Sequence, residues 1–110
     1  MKILFAFVSH NSYNDLIKLV NSLDRACDTC DLSQISLSLV IFENSSRRYS
    51  KSELCDITSV AIPTSIVYIA NNGYNNALNH SLQLSYKEHF DFLILRCMIF
   101  HSKNVVHSAR

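Results

Sequence analysis

The sequence predicts an α/β domain with a Rossmann-like, mostly parallel sheet of about four strands and two main helices. Three observations carry that expectation. Near-continuous apolar runs such as KILFAFVS and ISLSLVIF suit strands buried on both faces, as in parallel sheets. Stretches with apolar residues at helical spacing alternate with them. Polar clusters rich in Asn and Ser fall where the strands should end, the edge at which such sheets bind ligands.

The first strand spans residues 2–9 and feeds a helix from 12 to about 26. Leu16, Val20 and Leu23 repeat at helical spacing there, Asn11 or Ser12 can cap the entrance, and Asp15 suits the first turn. Residues 27–34 are a polar connection, and 35–42 form a second strand enriched in β-branched side chains. The segment 43–51, ENSSRRYSK, reads as a polar loop, with a short helical turn at 50–56. Pro63 breaks regular structure, and SIVYIA at 65–70 is the third strand. A second helix runs from 74 to about 89, with Tyr74, Leu78, Leu82 and Ser85 on its buried stripe. DFLIL at 91–95 is the fourth strand, and the tail RCMIFHSKNVVHSAR has no clean period.

The length of 110 residues suits one domain, and 48% hydrophobic against 17% charged residues allows a core. The net charge is +1 with no basic run, which excludes strong nucleic-acid binding. Arg47, Arg48 and Lys51 read as a solvated loop. The opening apolar run is too short for a signal peptide or a transmembrane segment, so the chain is expected in the cytoplasm, peripheral to a membrane only through a partner. His10, His80, His89, His101 and His107 make no ligand cluster by spacing, and Ser12 and Ser45 have no evident His–Asp partners for nucleophilic catalysis.

Cys27 and Cys30 form a C-x-x-C, with Cys55 and Cys97 elsewhere. Zinc would want a second such pair, and none exists. A thiol oxidoreductase using Cys27 and Cys30, with IPTS at 62–65 as its proline turn, needs the pair to open a helix; here it closes one.

The stretch NNGYNNALNH packs five asparagines around the sole glycine, Gly73, at a helix entrance. Asn72, Asn75, Asn76 and Asn79 share one helix face by spacing. Asparagine is a poor helix former, so these residues serve either as loop supports and solvent-facing groups or as neutral hydrogen-bonding groups for a ligand.

Four segments, FAFVSHNSYNDLIKLVNSL, LVIFENSS, ANNGYNNALNHSL and FDFLIL, resemble in order and spacing the start of an inverting family 2 glycosyltransferase of the GT-A fold. The resemblance covers 2–95, the nucleotide-binding half, and leaves 96–110 as a non-matching tail; the chain reads as truncated relative to the family. It implies a nucleotide-diphospho-sugar ligand in glycan or polysaccharide biosynthesis. The backbone of Val8 and Ser9 would face the nucleobase, and His10, where the family usually has Tyr, would stack on it. Asn11 would fix the turn. Glu43, where the family usually has Asp, would accept hydrogen bonds from base or ribose, with Asn44 and Ser46 holding its loop. Asn71 and Gly73 would shape the pocket wall, and Asn79 matches the family's helix asparagine.

The family also expects a divalent metal, Mg or Mn, on an Asp-x-Asp motif after the fourth strand; this chain has Arg96-Cys97-Met98 there, so those ligands are missing. Asp91 lies at the wrong end of that strand, while Arg96 offers a charge to a phosphate. No catalytic base can be named, so catalysis is expected to be incomplete in this chain alone. The alternative is a non-catalytic α/β interaction module: a fourth strand left as an open edge would invite a homo-oligomer or a partner chain.

Overall fold

The computed structural model describes residues 1–69, 74–97 and 103–108, the last six through their backbone. The elements run β1 (Lys2–Ser9), α1 (Tyr13–Thr29), β2 (Ser36–Glu43), α2 (Lys51–Asp56), β3 (Thr64–Tyr68), α3 (Tyr74–Lys87), β4 (Phe92–Cys97) and β5 (Lys103–Ser108). They form one sheet in the order β3-β2-β1-β4-β5. The first four of these strands are mutually parallel, and β5 lies antiparallel to β4. The α/β architecture expected from the sequence is the one observed.

The central strand explains the double-sided burial. Along β1, Leu4, Ala6 and Val8 face one way and pack with Val40, Phe42, Leu93 and Leu95 beneath Ala77 of α3. Phe7 faces the other way and packs with Leu39 and Ile41 beneath Leu16 and Val20 of α1, with Ile57 and Ile62 closing that side. Each of the larger side chains (Val, Leu, Ile, Phe) contributes about 1.5–3 kcal/mol when fully buried, so an uninterrupted apolar strand is what a two-faced sheet requires. The crossover from β1 through α1 leads to β2 on one side of β1. That from β3 through α3 leads to β4 on the other. Strand order therefore reverses between β1 and β4, and the crevice at their carboxyl ends is the topological switch point.

The tail departs from expectation. It supplies β5, which pairs with β4 from Phe92↔Ser108 to Cys97↔Lys103, so the edge of β4 is covered by the chain itself. The short segment KNVVHS has no clean period, because six residues fit several patterns. The element bounds also shift: α1 continues to Thr29, and α3 stops at Lys87. His89 takes a φ of 58°, and the amides of His89 and Phe90 close back on the carbonyls of Tyr86 and Ser85, a left-handed helix stop without glycine. On α3, Ala77, Ser81 and Ser85 are the buried positions, with Leu78, Leu82 and Leu84 half-buried beside them.

Candidate ligand site at the carboxyl edge

The turn after β1 brings three of the sequence-predicted residues together with the end of β2. Ser9 and Glu43 are register partners, and the Asn44 amide donates to the Ser9 carbonyl at 2.7 Å. Asn11 adopts φ 52°, which swings its amide toward Glu43 Oε2 at 3.2 Å. The Ser12 hydroxyl donates to the His10 carbonyl at 3.0 Å rather than capping an α1 amide. His10 reaches across to the Asn44 carbonyl through Nδ1. A carbonyl only accepts, so Nδ1 carries the proton, and the ring is held at the edge in a fixed orientation.

Glu43 is the centre of this network and is 0% exposed. Its Oε2 accepts from the Ser45 hydroxyl at 2.5 Å as well as from Asn11, and its Oε1 accepts from the Tyr49 phenol. Burial and that bond to Glu43 push the Tyr49 pKa up, so the phenol stays protonated and donating. The Ser9 hydroxyl beside the phenol opposes the rise, although it has no partner at hydrogen-bonding geometry among the described residues.

The segment after β2 is strapped down at Arg47 and Tyr49, while Ser46, Arg48 and Ser50 stay exposed. The Arg47 guanidinium lies 5.1 Å from the Tyr13 ring and 5.0 Å from the Tyr49 ring, and it pairs with Glu53. Tyr49 stacks against Tyr13 at 5.8 Å and Tyr68 at 6.3 Å, while Arg48 covers Tyr68 at 4.1 Å. The Tyr13 hydroxyl donates to Asp56 at 2.7 Å, which pushes its pKa up to about 12. The solvated loop expected for Arg47, Arg48 and Lys51 holds for Arg48 and Lys51, which are exposed, while Arg47 is half-buried. Tyr49 is their neighbour in the same loop, and Tyr13 and Tyr68 reach them from α1 and β3, which no local pattern reveals. Tyr49 and Ser45 were likewise missed. The signal available was an aromatic residue inside an otherwise polar loop.

The expected short helical turn is α2. Ser50 accepts from the Glu53 amide while Glu53 reaches back to the Ser50 amide, a capping box written in the sequence as S-x-x-E. Beside the strap, Asn11, Ser12, Tyr13, Asn14, Asp15, Lys18 and Arg47 line a polar hollow of about 650 Å³ over the first turns of α1.

The remaining expected site residues are spread more widely. Val8 is wholly buried in the core beneath α3, leaving only its backbone near the edge. Asn44 is buried, and Ser46 is exposed. Asn71 and Gly73 lie outside the described residues, as does Asn72. Asn75 and Asn79 are exposed and Asn76 is half-buried, so Asn79 faces solvent beside Leu82, Gln83 and Tyr86 and is not brought to Glu43.

The donor set at the end of β4 does not fit a divalent cation. Arg96 and Cys97 stand there, a guanidinium and a thiol, whereas Mg and Mn want oxygen ligands. Among the described residues no group of three His, Cys, Asp or Glu side chains is placed to hold a metal ion. Cys27 lies in the last turn of α1 with Cys30 just beyond it. Burial, with Asp24, Cys30 and Asp28 nearby, pushes the Cys27 thiol up, which works against thiolate chemistry. No described helix is long and apolar enough to cross a membrane. Comparison with protein-family models finds no match, and comparison with curated proteins finds none either.

Proposed function

We propose that the chain is a glycosyltransferase-like domain that binds a nucleotide-diphospho-sugar at the carboxyl edge of its sheet and does not complete sugar transfer by itself. The observation that carries this reading is the clustering of His10, Asn11 and the Glu43 network beside the β1–β4 switch point, where α/β sheets take nucleotide ligands. The sequence resemblance supplies the donor class. In this reading the base rests against the oriented His10 ring and the backbone of Ser9. Glu43 works from beneath by holding the Asn11 turn and the Tyr49 strap, since its oxygens are buried and already accept three hydrogen bonds. No residue is assigned as catalytic base, and no metal step is assigned.

The test is a titration with UDP, dTDP and GDP, with and without manganese, read by thermal shift and amide NMR. The expected result is metal-independent binding by at least one nucleotide, with the amides of His10, Asn11 and Asn44 moving. A folded chain in which none of the three nucleotides moves any of these amides ends the reading.

A further inference from the structure

We infer that Arg96 seats a diphosphate group in the crevice between the carboxyl ends of β1 and β4, without a metal ion. The inference rests on the nucleotide reading for the identity of the ligand, but its physical basis is separate.

Arg96 is the penultimate residue of β4 and registers with Phe7 of β1. Phe7 packs beneath α1, so Arg96 lies on the same face of the sheet, at the switch point. The side chain is half-buried; its Nε is buried and has no hydrogen-bond partner among the described residues, and the guanidinium forms no ion pair with any of them. Buried polar groups in folded proteins are nearly always satisfied, so an orphaned one asks for a missing partner. A guanidinium has five donors and no acceptor, and it stays charged at all working pH values. The missing partner is therefore an acceptor, and the uncompensated charge selects an anion. The fork geometry matches phosphate oxygens in pairs.

The surroundings fit the same ligand. On β1, two residues beyond Phe7 and on the same face, the wholly buried Ser9 hydroxyl lies beside the Tyr49 phenol and has no partner at hydrogen-bonding geometry among the described residues. The first turn of α1 opens at this edge with no side-chain cap on its amides, and its dipole favours negative charge. The buried carboxylate at the edge, Glu43, already has its three donors and does not compete for Arg96. A cation here does the charge neutralisation that a divalent ion would otherwise supply, and the two would repel.

The experiment titrates the full chain, in EDTA, with inorganic pyrophosphate, UDP and uridine by calorimetry and amide NMR. It uses the wild type, Arg96→Lys and Arg96→Met, with the NMR spectrum reporting that each variant is folded. Pyrophosphate and UDP should bind the wild type. Arg96→Met should weaken both by on the order of 10- to 100-fold and leave uridine unchanged, with Arg96→Lys between them. If UDP and uridine bind equally and Arg96→Met keeps both, the nucleotide reading stands and the Arg96 seat is overturned. Arg96-dependent pyrophosphate binding with no response to uridine or gain for UDP keeps the seat and removes the nucleotide. No binding of any of the three by a folded wild-type chain overturns both.

Discussion

At the carboxyl end of β2, the wholly buried Glu43 accepts hydrogen bonds from Tyr49, Ser45 and Asn11. At the carboxyl end of β4, two strands away, Arg96 buries its Nε and finds no partner among the described residues. The Glu43 carboxyl and the Arg96 Nε are both polar groups removed from water at the same edge of one sheet. The acid has been absorbed into the fold, where it fixes a turn and a loop. The guanidinium has not, and its unmet Nε donor is what a ligand can meet. Satisfaction, more than polarity or position, separates the scaffold of this edge from its binding capacity.

The contrast can be broken most forcefully at Glu43. Glu43→Ala leaves a phenol, a hydroxyl and a left-handed amide without their acceptor, and it should lower the unfolding free energy by about 3 kcal/mol in urea denaturation. A loss under about 1 kcal/mol would mean that the network is not structural and that the carboxylate is free for a ligand. The strap sharpens the contrast at intermediate size. Ser50→Ala removes the cap of α2 and should cost about 1 kcal/mol. Acid should reach the same cap. The Glu53 carboxyl is held below its ordinary 4.5, first by the Ser50 amide and then by Arg47. A depressed pKa gives stability that is complete above 4.5 and is lost as pH falls through the lowered value. Glu53→Gln should flatten the stability profile in that window; an unchanged profile would remove the assignment. The smallest effect belongs to Arg96→Met, which deletes an unsatisfied donor and should leave stability within about 0.5 kcal/mol of wild type. A large loss there would show that Arg96 has a structural partner after all.

Much of the fold was legible because its signals are local. KILFAFVS carries its two-sided burial in one run, and the α1 stripe of Leu16 and Val20 repeats at helical spacing. The capping box of Ser50 and Glu53 lies within four residues. The site was legible in part. His10, Asn11 and Glu43 stand together, while Asn79, named because it matches the helix asparagine of the resembled family, is exposed. Helical spacing shows which residues share a face, but not which face meets the sheet; on α3 the small residues Ala77 and Ser81 took that place because they let the helix approach closely.

The sequence by itself determined the alternation of strands and helices, the parallel sheet and the polar character of its carboxyl edge, because periodicity, turn residues and caps act over a few positions. Only the tertiary structure decided that the tail returns as β5 along β4, that Tyr13, Tyr49 and Tyr68 gather around Arg47 and Arg48, and that Glu43 is satisfied while Arg96 is not. Those outcomes depend on strand order and register, which bring distant residues within hydrogen-bonding reach, and no local pattern encodes which pairs will meet.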